Sequence, residues 1–372
     1  MTVAGMTNPF MPSFGRFPKI VIDQQAALTD YLTGLQTHDA KYQTSLVYGT
    51  RGAGKTVFLL NVQKSLKQLD DWCFIRLNNG QGNLLFQLLH GLQRATGTSL
   101  IDLLKNVKSV SLMGNSVSWQ TLRESNLIDY DEYLSVLLTR LKKQGKSVLI
   151  GIDEIEISDD VRAFGSEYQT LIGDDFDISL LMTGLPSRIS EVQNDDTLTF
   201  LLRSNRVYLS PLDEHSIANS YETAFLRGGR AIDYGVLDKL SKSVKGYAYA
   251  FQTMGYYAWR YSQENMQIDD QVLTKTLAAS KVDLFRNAYE KMYLDLSPTD
   301  RAFIEAIIAA KTEPVSMKQL QTIMQKPINY ISVYRARLLD DQLIESPQRG
   351  YVQLSLPFFA EFVEKYKQEH FS

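Results

Sequence analysis

Residues 49–56 read Gly49-Thr50-Arg51-Gly52-Ala53-Gly54-Lys55-Thr56, a G-x-x-x-x-G-K-T run lodged between the apolar stretch TSLVY and the helical stretch VFLLNVQKSL. Nothing else in the chain restricts its fold as strongly, because such a loop needs a strand behind it and a helix in front. Its glycines let the backbone curl so that successive N–H groups converge on phosphate oxygens, and the following helix adds the positive end of its dipole. In that arrangement Lys55 reaches the β- and γ-phosphates and Thr56 offers a hydroxyl to Mg²⁺.

A phosphate loop needs an acidic residue at the end of a neighbouring strand. The run Ser147-Val148-Leu149-Ile150-Gly151-Ile152-Asp153-Glu154 supplies one, with Asp153 lying 98 residues beyond Lys55. Asp153 would hold Mg²⁺ through its water shell, and Glu154 would polarise the water that attacks the γ-phosphate. Together the two motifs imply ATP hydrolysis. A further apolar run, Ser179-Leu180-Leu181-Met182-Thr183-Gly184, ends in a polar residue. If it lies between the two motif strands, Thr183 is placed to sense the γ-phosphate or the lytic water; a Thr that merely caps the next helix is the plainer alternative. Arg203 and Arg206 lie in FLLRSNRVYLSPL, at the start of the last apolar run. There an arginine can face the nucleotide of an adjoining subunit, although surface arginines need no such role.

The rest of the chain fits an α/β protein. Short apolar runs (TSLVYG, WCFIRLN, SVLIGID, SLLMTG, RVYLSPL) alternate with longer amphipathic ones, the pattern of a parallel sheet with helical crossovers. Residues 1–22 form an extended arm, since Pro9, Pro12 and Pro18 bias their predecessors away from helical torsions. The nucleotide core then spans 23–212, with a β-hairpin expected between Lys105 and Trp119 around Gly114-Asn115. From 213 to 292 helices dominate. A last unit, 293–372, begins at LSPTD, with Ser297 as N-cap and Pro298 at the first helical position. Helices over 298–310, 316–324 and 327–342, then a two-strand pattern turning at Gln348-Arg349-Gly350, outline a winged helix-turn-helix.

Charge decides what that last unit can bind. The whole chain of 372 residues carries 39 Lys+Arg against 42 Asp+Glu, which excludes a bulk polyelectrolyte and makes any nucleic-acid surface local. Residues 292–372 hold nine basic and ten acidic side chains, yet no acidic residue occurs between Val315 and Leu339. Lys318, Lys326, Arg335 and Arg337 fall there, with Asn329 near the start of the recognition helix and Arg349 on the wing. Double-stranded DNA is one reading of this set, and docking to a protein is the other. Tyr247, Tyr249, Tyr256, Tyr257 and Trp259 are spaced as one packed helix face and read as core. The single cysteine, Cys73, excludes an internal disulfide framework and a cysteine zinc finger. No apolar run approaches 18 residues, and the first 19 residues lack a continuous apolar stretch, so a cytoplasmic protein without membrane contact is expected.

On these residues the chain resembles AAA+ ATPases of the archaeal initiator (origin-recognition) type and their bacterial, phage and plasmid relatives, which grade into the STAND signalling ATPases. The resemblance rests on NPF-x-P-x-FG-x-x-P in the arm, the loop at 49–56, LIGIDE, LMTG, LSPLDEHSI, KGYAYAFQTMGYYAW and the winged helix. It implies a P-loop NTPase core of the ASCE class with five parallel strands in the order 5-1-4-3-2, a helical lid and a C-terminal winged helix. It also places the arm against adenine, making Asn8, Pro9 and Phe10 base contacts unless they serve hydrophobic packing alone. Initiator lids carry a G-D-A-R arginine that touches the γ-phosphate, whereas the corresponding stretch here is Gly246-Tyr247-Ala248-Tyr249. That departure implies a slow ATP/ADP switch controlling DNA binding or self-association. A STAND-type assembly ATPase whose winged helix contacts an unidentified protein partner is the alternative.

Overall fold

The computed structural model describes residues 7–12, 18–22, 25–99 and 129–371; the hairpin expected between Lys105 and Trp119 lies outside them. The chain divides into two compact units, one of residues 25–48 and 58–208, the other of residues 1–24, 49–57 and 209–372.

The first unit is built on a five-stranded parallel sheet of β1 (Thr44–Tyr48), β2 (Trp72–Asn78), β3 (Ser147–Asp153), β4 (Ile178–Gly184) and β5 (Asn205–Tyr208). Their order is β2-β3-β4-β1-β5, the 5-1-4-3-2 order expected, so β4 lies between the two motif strands. The strands are near-continuous apolar runs because both faces are covered. Val148, Ile150 and Ile152 of β3 join the core beneath α3 (Leu84–Thr96), α4 (Tyr130–Lys143), α5 (Asp159–Gly173) and α6 (Pro186–Gln193). The opposite face meets the helix that follows the phosphate loop. A side chain at Gly151 would collide there with Phe74 and crowd Leu59, so glycine is what lets that helix approach β3. Helix starts follow local capping rules: Asn83 accepts from the Phe86 amide, Asp129 from Glu132 and Ser158 from Val161.

The second unit contains helices α7 (Glu214–Arg227), α8 (Tyr234–Ser243), α9 (Ala248–Tyr261) and α10 (Asp270–Leu284); α10 runs through a π-helical turn, Phe285–Tyr289, into α11 (Glu290–Leu294). A parallel pair of two-residue strands, β6 (Ala231–Ile232) and β7 (Gln267–Ile268), interrupts these helices, and no strand was expected there. Then come α12 (Pro298–Ala309), β8 (Val315–Ser316), α13 (Met317–Met324), α14 (Ile328–Asp340), β9 (Ile344–Glu345), β10 (Tyr351–Leu354) and α15 (Phe359–Phe371). The small antiparallel sheet has the order β8-β10-β9, the arrangement of a winged helix. Ser297 caps α12 by accepting from the Asp300 amide, with Pro298 in the first turn. One hydrophobic core runs from Phe10 through Phe251 and Tyr289 to Phe359 and Val363, so the helical segment and the winged helix are packed as one body.

Candidate functional site

The phosphate loop leaves β1 at Tyr48 and enters α2 (Lys55–Leu66) at Lys55. Gly52 (φ +81°) and Gly54 (φ +98°) occupy the left-handed region that only glycine adopts without strain. Beside Gly54 there is open space where a Cβ would stand, as a cradle for a ligand requires. The Ala53 amide donates to the Thr50 carbonyl at 3.2 Å, tightening the turn. Lys55 is buried, and its Nζ donates to the carbonyls of Gly49 and Thr50, 2.7 Å each. Thr56 sits half-buried in the first turn of α2, which carries no acidic side chain to offset the positive helix end. Loop amides, a lysine and a hydroxyl suit a phosphate chain with a hard divalent cation.

At the carboxyl edge of the sheet, Asp153 ends β3 beside Asn78 of β2. Its Oδ1 accepts a 2.6 Å hydrogen bond from Thr183 Oγ1, and its Oδ2 is paired with Arg76 at 3.0 Å. The same Thr183 oxygen accepts from the Glu154 amide at 3.2 Å, while the Thr183 carbonyl accepts from the Ile155 amide at 2.8 Å. Thr183 is fully buried. It therefore fixes both acidic residues: one hydroxyl bridges the Asp153 carboxylate and the Glu154 main chain. Glu154 adopts a left-handed conformation (φ +53°), uncommon for a residue with a side chain and typical of positions held by their surroundings. Its side chain is exposed.

Other expected residues are placed as follows. Phe10 is 1% exposed, with its ring 5.7 Å from Tyr221, 5.6 Å from Phe225 and 5.8 Å from Phe251, seated against Gly255, where a Cβ would strike it. Asn8 donates to the Tyr256 carbonyl and accepts from the Phe10 amide, and Pro9 between them is half-buried. Arg203 is exposed at the end of a 3₁₀ helix, and Arg206 on β5 hydrogen-bonds Tyr208, which raises its guanidinium above the ordinary value. On the winged helix Lys318, Lys326, Asn329 and Arg349 are exposed. Arg335 donates to Ser346 at 2.9 Å. Arg337 is paired through Nε with the buried Asp300 at 3.0 Å and through Nη2 with Ser297. The exposed side of α13 and α14 also displays Ile323, Ile328, Tyr330 and Val333, the last 63% exposed.

Residues 286–363 match a family described as a domain of unknown function (DUF8462). No curated protein matches the sequence at a significant level. Among solved structures, the chain is similar to the Aeropyrum pernix ORC2 protein in its ADPNP–ADP complexes, with a TM-score of 0.60 and 13% identity over 96% of this chain and 97% of that one. It is also similar to the Walker-type ATPase paby2304 of Pyrococcus abyssi (TM-score 0.61, 14% identity, 95% and 100% covered). Cdc6p from Pyrobaculum aerophilum gives 0.51 at 15% identity, with 97% and 98% covered. The chain has the fold of the archaeal ORC/Cdc6 AAA+ ATPases.

Within this AAA+ fold two residues near the motifs escaped the sequence reading. Arg76 interrupts the apolar run WCFIRL, and a lone charge within an edge strand is the signal the sequence offers. Tyr247 is a core residue, as its spacing indicates, and its hydroxyl in addition donates to the Arg51 carbonyl of the loop at 2.8 Å. Among the described residues, no helix is long and apolar enough to cross a membrane.

Proposed function

We propose that this AAA+ protein binds Mg-ATP and hydrolyses it slowly, as a switch that sets the state of its C-terminal winged helix. The observation that carries the reading is the loop at 49–56, with two left-handed glycines, a buried lysine and a helix start free of acidic side chains. In this reading the amides of residues 49–56 and Lys55 would hold the phosphates, Thr56 would supply an oxygen ligand to Mg²⁺, and Asp153 would hold the ion through its water shell. Bound Mg-ATP brings the electrophilic phosphorus. Glu154 takes the proton from the attacking water, and Thr183 keeps Asp153 and the Glu154 main chain in register. Arg76 balances the Asp153 charge. Asn8 and Pro9 remain the arm's base-contact candidates, whereas Phe10 is committed to packing. The related ORC2 protein was solved with ADPNP and ADP, which is consistent with this ligand class.

A lid without the G-D-A-R arginine favours slow turnover over a motor cycle, and Arg203 or Arg206 would act only across subunits. Calorimetric titration with ATP and ADP, with and without Mg²⁺, tests the reading together with phosphate release. No heat at millimolar nucleotide would end it. Sedimentation with each nucleotide tests the arginines; an unchanged profile removes both.

A second reading concerns what the winged helix touches. The exposed Ile323, Ile328 and Val333, and the engagement of Arg335 and Arg337 by Ser346 and Asp300, favour a protein partner as in STAND-type ATPases. Lys318, Lys326, Asn329 and Arg349 remain for DNA. A shift assay on the full chain with double-stranded DNA separates the two, since phosphate contacts must weaken with salt.

A further inference from the structure

We propose that Tyr247 and Tyr289 form a latch tying the phosphate loop to the winged helix, with Tyr247 as a positioning residue for the loop and Tyr289 relaying its state onward. This rests on the reading of residues 49–56 as the nucleotide loop. Tyr247 immediately precedes α9, fixed there by Gly246 (φ +70°), whose carbonyl accepts from the Leu212 amide at 2.8 Å. The Tyr247 ring is buried, and its hydroxyl reaches the Arg51 carbonyl at 2.8 Å. The contact is close on the loop side as well: a Cβ at Gly52 would run into that hydroxyl, so the loop glycine leaves room for the tyrosine as well as for its own torsion. Burial pushes the Tyr247 phenol far above its usual range, so it stays a neutral donor at every physiological pH.

Behind Tyr247 the contacts continue without a break. Its ring stacks on Tyr289, with centroids 6.2 Å apart and planes at 29°. Tyr289 closes the π-helical turn between α10 and α11, a rare backbone form often found at functional positions. The Tyr289 hydroxyl donates to the Pro357 carbonyl at 2.7 Å, just before α15, and the ring meets Phe359 edge-on at 5.1 Å. All three rings belong to one buried core. Two hydroxyl-to-carbonyl bonds thus bracket one ring stack, joining Arg51 to Pro357. A change in the loop main chain alters the donor position of Tyr247, and the packed rings carry that displacement because a close-packed core moves in discrete steps rather than stretching.

The test uses full-length wild type, Tyr247→Phe and Tyr289→Phe, each variant keeping its ring and losing one oxygen. A fluorescent ADP analogue reports affinity, and hydrogen exchange with and without ADP reports protection of residues 354–363. Wild type should bind and gain protection there. Tyr247→Phe should bind about fivefold more weakly, the worth of one hydrogen bond, and lose most of the gain. Tyr289→Phe should stay within about threefold in affinity, as one relay bond would allow, and also lose the gain. The latch is overturned if both variants keep the wild-type response at 354–363, or if Tyr247→Phe binds as tightly as wild type. Should Tyr247→Phe not fold, the exchange response of Tyr289→Phe decides alone. If wild type itself binds no nucleotide, the nucleotide reading fails first and the latch falls with it, an outcome distinct from failure of the variants only.

Discussion

The acidic end of β3 and the basic face of the winged helix treat their charges in opposite ways. At β3, Asp153 is oriented by Thr183 and paired with Arg76, and Glu154 next to it stays exposed on a main chain locked by the same threonine. On the winged helix, Arg337, itself 42% exposed, is paired with a carboxylate that is only 4% exposed, and Arg335 is tied to Ser346. One arrangement leaves an exposed carboxylate beside an oriented one; the other ties its charges to neighbouring groups of the fold. A charged residue type in a motif therefore says little until its neighbours are known, because a buried carboxylate left without its counter-charge is costly and so engages a guanidinium that the motif alone leaves free.

Substitutions can break or sharpen this contrast. Glu154→Gln should leave nucleotide affinity unchanged and lower phosphate release by about 10²–10⁴-fold, the contribution of a general base. Normal turnover would strip the β3 end of its catalytic reading. Lys55→Ala should weaken ATP about 100-fold by calorimetry, consistent with a lost charge-assisted contact to phosphate of about 2–3 kcal/mol. Arg337→Ala should cost about 2–3 kcal/mol in urea unfolding, since Asp300 would remain buried with Ser297 alone beside it, and should change DNA affinity by less than about twofold. A large loss of DNA binding without a stability change would reverse the assignment of that arginine. The smallest effect should come from Lys326→Ala: stability within about 0.5 kcal/mol, and, if DNA is the partner, a salt slope reduced by about one. A flat response on DNA from Lys318→Ala and Lys326→Ala together would leave protein docking as the role of this face.

Much of the architecture was legible because its signals are local. Five apolar runs bounded by turn residues announced the five strands, and the alternation with helices made the sheet parallel. Ser297-Pro298 announced the start of α12, where capping is decided within four residues. The two-residue pair β6 and β7 was not legible, since each strand is too short to show a period and exists only through its partner. Phe10 shows the same limit at the level of a side chain. Its motif allowed a base contact or packing, and the space opened by Gly255, 245 residues away in the chain, seats it in the core. Arg76 and Tyr247 escaped because the Asp153 carboxylate and the Arg51 carbonyl that engage them are remote in sequence.

The amino-acid order alone set out the glycine-rich loop at 49–56, the acidic strand end and the five strands of the parallel sheet, because glycine torsions, caps and apolar periods are read within a few residues. Which hydroxyl would hold the aspartate, which arginine would meet a buried carboxylate, and that a tyrosine would reach the loop were settled only by folding. Those outcomes depend on which distant groups share a buried space, where an unpaired donor or charge is costly enough to select its partner.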